Sequence, residues 1–228
     1  MSISGSLFLI VLLLTANAEA QQRPDLTWGR SVVKVMADTK SGRVSMGSGV
    51  VVAPDRVATN CHVTRNAQSI MVIKGISRYK VVLQAPNIRL DVCILYTDNL
   101  KLPIAEMGQV TDATIGNKVF VFGFPAAVGL GMVRGKITGL YNFNTGIIIQ
   151  TDAGFMRGTS GGAVFSSAGK LLGLPTFMET VRSGGNYYAV PVEWVLQGLK
   201  AQAQPVGVIK GSAFWENEGW SISSVSID

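Results

Sequence analysis

The sequence predicts an all-β protein built from two six-stranded antiparallel barrels and a C-terminal helix. Short stretches rich in valine and isoleucine recur along the 228 residues, and Gly, Pro, Asn or Asp residues separate them. Six such stretches precede a gap at residues 97–114, and six more follow it. Two sets of six strands joined by a linker indicate two barrels in one chain.

Each predicted strand is a short run of β-forming residues. In the first half the strands are expected at residues 31–36, 43–52, 56–59, 68–74, 78–85 and 92–96. In the second half they are expected at residues 118–122, 132–141, 146–151, 163–166, 171–177 and 187–190. After Pro191 the apolar positions take helical spacing, with Val192, Val195, Leu196 and Leu199 on one face. The first barrel is therefore expected over about 30–97 and the second over about 115–190.

The first 20 residues have the pattern of a secretory signal peptide. An apolar run at residues 7–14 precedes Ala16, Ala18 and Ala20, which form the small-residue pattern of a cleavage site. The run is shorter than the ~20 residues of a membrane-spanning helix. We therefore expect cleavage after Ala20 and an exported protein without a stable membrane span, and a retained anchor is the alternative.

The charge pattern argues against nucleic-acid binding. Lys and Arg number 20 against 14 Asp and Glu, which gives a formal net charge of +6. This excess is spread along the chain, with no run of basic residues that would follow a phosphate backbone. We expect no nucleic-acid partner, and we also expect no cofactor and no metal.

The run Gly158-Thr159-Ser160-Gly161-Gly162 is the strongest candidate for a catalytic turn. Glycines on both sides of Ser160 allow a tight turn that presents its hydroxyl to a substrate. The backbone amides of Gly158 and Ser160 can then point at one spot and form an oxyanion hole. The alternative is a glycine-rich hairpin turn without catalytic function.

A serine nucleophile needs a base, and the chain contains a single histidine, His62. Asp91 stands at the opening of an apolar strand, where an unpaired carboxylate would be costly. The aspartate would be explained if its carboxylate accepted a hydrogen bond from Nδ1 of His62. The order histidine, aspartate, serine is that of chymotrypsin-type enzymes. The alternatives are a structural histidine and an exposed aspartate at a strand edge.

These motifs belong to a larger set of matching segments, so the chain resembles a trypsin-like serine protease of the HtrA (Deg) branch. The matching segments are ATNCHV at 58–63, DVCIL at 91–95, LPIAEMG at 102–108, IQTDA at 149–153, GTSGGA at 158–163 and YYAVP at 187–191. The resemblance covers about residues 30–200. It departs from the family at Thr159, where asparagine is usual, and no PDZ domain is expected to follow.

The resemblance implies a chymotrypsin-like fold and a secreted or periplasmic serine endopeptidase that acts on proteins or peptides. The protease domain would span residues 21–200, and residues 201–228 form a tail with no assigned role. Gly154 stands where trypsin-like enzymes place the base of the specificity pocket, and Leu174 and Thr176 would line its walls. This neutral pocket predicts cleavage after Val, Ala or Leu. The substrate would pair with the strand edge near 172–177.

The two cysteines each stand beside a proposed catalytic residue. Cys61 precedes His62, and Cys93 shares a strand face with Asp91. If the histidine and aspartate touch, the sulfurs are close, and an oxidising compartment favours a Cys61–Cys93 disulfide. Two buried thiols are one alternative. A zinc site formed by both cysteines and His62 is another, although it lacks an evident fourth ligand.

A second class of function is compatible with the same motifs. A catalytically weak or inactive protein of this fold would bind peptides or partner proteins without cleaving them. Loss of a triad residue is the usual sign of such a protein, and no triad residue is missing from this sequence. The sequence therefore favours the enzyme.

Overall fold

The computed structural model describes residues 26–181, 184–217 and 220–222. The predicted signal peptide at residues 1–20 lies outside these ranges. None of the helices in the described part of the chain has the length and hydrophobicity that a bilayer-spanning helix needs.

The N-terminal barrel is a closed sheet of six antiparallel strands. Its strands are β1 (Val32–Thr39), β2 (Val44–Ala53), β3 (Arg56–Thr59), β4 (Ala67–Lys74), β5 (Ser77–Asn87) and β6 (Val92–Thr97). The order is β5-β4-β1-β2-β3-β6, and pairing of β5 with β6 closes the barrel. A one-turn helix, α1 (Cys61–Thr64), follows β3. The predicted first barrel is thus confirmed.

The C-terminal barrel is also closed and six-stranded. Its strands are β7 (Lys118–Gly123), β8 (Gly131–Phe143), β9 (Gly146–Thr151), β10 (Ala163–Ser166), β11 (Leu171–Val181) and β12 (Gly184–Pro191). Their order around the barrel is β10-β11-β12-β9-β8-β7. The predicted helix begins directly after Pro191 as α2 (Val192–Gly198). The fold is therefore the predicted pair of barrels with a C-terminal helix.

The described residues pack into three apolar clusters. One cluster fills the N-terminal barrel around Val35 and Leu95, and a second fills the C-terminal barrel around Val121 and Ile149. The third joins the outer faces of both barrels to α2, whose Trp194 is fully buried. Burial of this apolar surface is the main force that holds the two barrels together.

The segment that follows α2 packs against both barrels. A short strand, β13 (Gln204–Pro205), adds to the N-terminal sheet beside β5. A single 3₁₀ turn at Phe214–Glu216 then buries Phe214 against Phe143 and Trp194. This tail, for which the sequence indicated no role, reaches the cleft between the barrels.

Candidate active site

His62 lies at the junction of β3 and α1, on the N-terminal wall of the cleft. Asn60 has extended backbone and lies between the end of β3 and the start of α1, and His62 is the second residue of α1. The buried Asn60 side-chain amide donates to the Asp91 carbonyl at 2.9 Å and to Thr176 Oγ1 at 3.1 Å. These bonds fix the start of α1 to the β5–β6 turn and to the C-terminal barrel, so the histidine is held from both sides.

Asp91 lies in the turn between β5 and β6, one residue before β6 begins. Its φ of 56° is in the left-handed region, which aspartate adopts more readily than most residues. The side chain is fully buried. Its Oδ1 accepts the His62 backbone amide at 2.8 Å, and its Oδ2 lies 2.7 Å from His62 Nδ1. The carboxylate therefore orients the imidazole and leaves Nε2 for chemistry on the cleft side.

A disulfide joins the histidine turn to the aspartate strand. The Cys61 and Cys93 sulfurs are bonded, and their Cα atoms are 5.0 Å apart. Thr59 on β3 lies directly opposite Cys93 on β6, which explains why the two cysteines come together. Because both sulfurs are used in the bond, the zinc alternative has no thiolate ligand in this structure.

Ser160 lies on the opposite wall, in a turn that requires glycine at position 161. Gly161 has a φ of 80°, and a Cβ there would meet Thr59 Oγ1 and come within 2.5 Å of Ser48 O. Ser160 Oγ donates to Thr176 O at 3.4 Å. Within the described contacts it makes no hydrogen bond to His62. Both residues nevertheless line the same cleft, of about 370 Å³.

The two amides predicted to form an oxyanion hole are free in the described backbone. Neither the Gly158 amide nor the Ser160 amide donates a backbone hydrogen bond among the described residues, whereas the Thr159 amide donates to Met156 O at 3.0 Å. Gly158 has a φ of 95°, and any Cβ there would overlap the Phe124 carbonyl. Two unused donors beside a serine hydroxyl are suited to an oxyanion.

Ser48 on β2 ties the serine turn to the N-terminal barrel. Its amide donates to Ser160 O at 2.8 Å, and its hydroxyl donates to Gly158 O at 2.7 Å and accepts the Phe124 amide at 2.8 Å. The sequence analysis did not identify this residue. Its place inside a Gly47-Ser48-Gly49 run was the one available signal, because small neighbours allow close approach.

Of the three predicted pocket residues, one lies among the described residues that line the cleft. Thr176 lines the cleft, but Leu174 is fully buried in the apolar cluster between the barrels, and Gly154 is not among the cleft-lining residues. The register of β11 shifts between Pro175 and Phe177, and this bulge at Thr176 breaks the alternation that would place Leu174 on the same face.

The apolar lining of the cleft comes from residues that the sequence analysis did not name. Three methionines line it and are 43–59% exposed, and Phe177 lies beside them. The methionines are Met46, Met156 and Met178. Methionine side chains adapt to varied apolar partners, which suits a peptide-binding surface.

The tail contributes Trp215, which lines the cleft next to His62. Its indole nitrogen donates to Asp91 Oδ2 at 3.1 Å, and its ring contacts the imidazole edge to face at 5.4 Å. The next residue, Glu216, forms a two-bond ion pair with Arg65. No motif in the sequence signalled this contact, because it depends on the path of the tail.

The same contact changes the pKa of Glu216. Burial raises the pKa of its carboxyl, but the hydrogen bonds from Arg65 and the Ala213 amide, together with the Arg65 charge, lower the pKa by more than burial raises it. The net pKa of Glu216 is below its usual value. The carboxylate is thus kept ionised and paired where the tail meets α1.

Comparison with known proteins places these features in a family. Residues 47–174 match the model of the trypsin-like peptidase domain. A probable periplasmic serine endoprotease, DegP-like, from Pseudomonas savastanoi pv. phaseolicola is 35% identical over 158 residues, which are 65% of this chain and 33% of the relative. The chain thus spans about a third of the length of this relative.

Solved structures show the same fold. The HtrA-type protease AlgW with a tripeptide superposes with a TM-score of 0.66 at 25% identity, over 78% of this chain and 63% of the other. The active form of the Rv3671c protease from M. tuberculosis has a TM-score of 0.71 at 21% identity, over 82% and 86% of the two chains. The domain match and the two-barrel fold agree, and this chain is a member of the trypsin-like peptidase family, similar to its HtrA-type proteases.

Proposed function

We propose that this protein is a serine endopeptidase in which Ser160, His62 and Asp91 form the catalytic triad. The observation that carries the proposal is the 2.7 Å contact between His62 Nδ1 and a fully buried Asp91 carboxylate, in a cleft that Ser160 also lines. A carboxylate that fixes the imidazole tautomer is the arrangement that a serine nucleophile needs.

The reaction follows from the placement of the donors and acceptors. His62 takes the proton from Ser160 Oγ as the hydroxyl attacks a peptide carbonyl carbon. Asp91 stabilises the resulting imidazolium, and the amides of Gly158 and Ser160 hold the oxyanion. His62 then protonates the leaving amine, which leaves an acyl-enzyme on Ser160. Water attacks the acyl-enzyme by the reverse route and restores the free serine.

The serine must turn before it reacts. Ser160 Oγ donates to Thr176 O at 3.4 Å, a long hydrogen bond. Rotation about a side-chain torsion breaks this bond and brings the hydroxyl towards His62, which lines the same cleft. Catalytic hydrogen bonds often tighten only when substrate is bound.

The proposed substrate is an extended peptide that binds along β11. Among the described cleft residues, Thr176, Phe177 and Met178 form a continuous stretch of that strand. An extended chain can pair with such a stretch by main-chain hydrogen bonds, and the exposed methionines supply apolar side-chain contacts. Among the described residues that line the cleft, none carries a carboxylate that could pair with Lys or Arg. We therefore expect cleavage after Val, Ala or Leu, and profiling with a peptide library would reject this if Lys or Arg were preferred.

We extend the proposal to the whole chain. Residues 1–20 are removed as a signal peptide, residues 21–200 carry the peptidase, and the product is periplasmic or extracellular. The periplasmic name of the DegP-like relative and the Cys61–Cys93 disulfide both support export. Intact-mass measurement of the exported protein tests the cleavage site, and a mass that includes residues 1–20 would contradict it.

A second candidate is a catalytically weak or inactive peptide-binding protein. The observation that favours it is the hydrogen bond of Ser160 Oγ to Thr176 O in place of one to His62. Peptide hydrolysis separates the two functions. The native protein should cleave a casein or peptide substrate, Ser160→Ala should not, and Ser167→Ala, a change of an exposed serine seven positions away, should cleave normally. Cleavage that survives Ser160→Ala would reject the triad.

A further inference from the structure

The C-terminal tail completes the hydrogen bonding of the buried aspartate. Asp91 accepts two hydrogen bonds from His62 and a third from the indole nitrogen of Trp215 at 3.1 Å. The indole donates to Oδ2, the same oxygen that faces His62 Nδ1. Trp215 therefore acts on the atom of Asp91 that sets the imidazole in place.

Trp215 is held rigidly enough to serve as a fixed donor. Its ring stacks on Phe177 at 5.4 Å with an interplanar angle of 14°, and it contacts His62 edge to face. The flanking residues anchor both sides, because Phe214 is buried and Glu216 pairs with Arg65. A donor held by packing loses little entropy when it makes its hydrogen bond.

The chemistry requires a donor of this kind. A fully buried carboxylate is stable only when donors satisfy its oxygens. Tryptophan is a donor only, so it cannot compete with Asp91 for the proton of His62. A hydrogen bond to Oδ2 from a second direction stops the carboxylate from rotating away from Nδ1. The imidazole then keeps the tautomer that general-base catalysis by Nε2 requires.

We propose that Trp215 is a positioning residue of the triad, and that the tail segment Phe214–Glu216 is therefore part of the active site. This inference rests on the proposed peptidase function. Trp215 acts through Asp91 and His62, so its loss should lower the rate of the chemical step more than it weakens substrate binding.

Trp220 provides a matched control in the same aromatic cluster. Its ring packs edge to face on Phe177 and Phe214 at 5.2 Å. Its indole nitrogen is buried and has no hydrogen-bond partner among the described residues. Phenylalanine at either position keeps an aromatic ring and removes one indole N–H, but only at position 215 does that N–H bond to the triad.

The test compares Trp215→Phe with Trp220→Phe in steady-state kinetics. We expect Trp215→Phe to lower kcat about tenfold with KM within about twofold, since the phenyl ring still forms the cleft wall. Trp220→Phe should leave both constants near those of the native protein. Equal effects of the two substitutions on kcat, or an effect of Trp215→Phe on KM alone, would overturn the inference.

A spectroscopic measurement separates this inference from the proposed function. The chain contains one histidine, so ¹⁵N-histidine labelling gives the imidazole signals of His62 alone. The Nδ1 proton shared with Asp91 should give a downfield signal that shifts or broadens in Trp215→Phe and stays in place in Trp220→Phe. This outcome supports positioning even in a protein without peptidase activity, and an unchanged signal in Trp215→Phe overturns it.

A second measurement keeps the tryptophan at position 215 and so does not depend on the folding of Trp215→Phe. ¹⁵N-tryptophan labelling reports the indole protons directly, and Asp91→Asn replaces the charged acceptor by a neutral one. We expect the Trp215 indole proton to move upfield in Asp91→Asn, because hydrogen bonds to charged acceptors are the stronger ones. The Trp220 indole proton should not move. An unmoved Trp215 signal would overturn the inference.

Discussion

The two walls of the cleft hold their reactive residues by different means. On the histidine wall, side chains do the holding, through the Cys61–Cys93 disulfide, the hydrogen bonds of Asp91 and the indole of Trp215. On the serine wall, the backbone does it, through left-handed glycines and two carbonyl groups bonded to Ser48. Asp91 is fully buried, whereas Met156 near Ser160 is 59% exposed.

This difference reflects what each group must do. In the proposed reaction, the His62–Asp91 pair must keep a charge-stabilising geometry from start to end, which favours a buried and cross-linked setting. The serine turn would accept a substrate and present two amides to it, which favours exposed backbone that no side chain covers. Removal of a polar group or of the disulfide should therefore lower activity or stability when it is made on the histidine wall. On the serine wall, the addition of a Cβ to a glycine should have this effect.

The largest effect is expected from a change on the histidine wall. Asp91→Asn should reduce kcat roughly 10⁴-fold, the loss known for the corresponding change in a serine-protease triad, because the amide favours the wrong tautomer of His62. Steady-state peptide hydrolysis measures this loss, and the thermal unfolding midpoint checks that the variant folds. Loss of less than about tenfold would show that Asp91 does not orient the base.

Removal of the covalent link should be the next largest effect. The disulfide spans 32 positions in the sequence, so the Cys61→Ala/Cys93→Ala double variant should lose roughly 3–4 kcal/mol of unfolding free energy on the chain-entropy model. Urea unfolding of the oxidised native protein and the double variant gives this difference.

Alkylation tests the bond itself. The denatured, unreduced exported protein should take up no alkyl group. Two added groups would show that the thiols are free, and the stability of the native protein would then owe nothing to the link.

A glycine pair isolates the steric requirement on the serine wall. Gly161→Ala combines a left-handed backbone with a Cβ against Ser48 O, whereas Gly42 has a similar φ and open space around it. We expect a loss of about 3 kcal/mol for Gly161→Ala and about 1 kcal/mol for Gly42→Ala. Only the first should also reduce peptide hydrolysis. Equal losses in the two variants would mean that the close approach at Gly161 is unimportant.

The smallest effect concerns the pH dependence of the tail contact. The pKa of Glu216 is lowered in the folded protein from its ordinary value of 4.5, because Arg65 and the Ala213 amide bind the carboxylate. Its contribution to stability is therefore complete above that value and is lost as the pH falls through the folded-state pKa. Below about pH 4.5 the native protein should lose a stabilisation that Glu216→Gln lacks at every pH.

Urea unfolding of both proteins between pH 3 and pH 7 measures this difference at roughly half-unit steps. The gap in unfolding free energy between native protein and Glu216→Gln should close on acidification. A gap that stays constant would contradict the assignment.

Much of this arrangement could be predicted from the sequence because it depends on local patterns. Alternating apolar residues and turn residues indicated both barrels, and the glycines around Ser160 indicated the turn. The proximity of His62 and Asp91 followed from matching motifs. Asp91 itself takes a left-handed turn conformation just before its strand, a detail that depends on the neighbouring hydrogen bonds.

The remainder depends on contacts between distant parts of the chain. Ser48 meets the serine turn 110 positions away, and Trp215 meets Asp91 124 positions away. Neither contact has a periodic signal in the sequence. Leu174, expected in the pocket wall, is instead fully buried, because the bulge at Thr176 changes which side chains of β11 face the cleft.

The most direct test of the proposed triad is labelling of the full exported protein with a fluorophosphonate probe. A serine becomes reactive towards this probe only when a base and an oxyanion hole act on it. We predict one label, located on Ser160 by peptide mass spectrometry, and no label in Ser160→Ala or His62→Ala. Labelling of another residue, undiminished labelling in His62→Ala, or an unlabelled native protein would contradict the account.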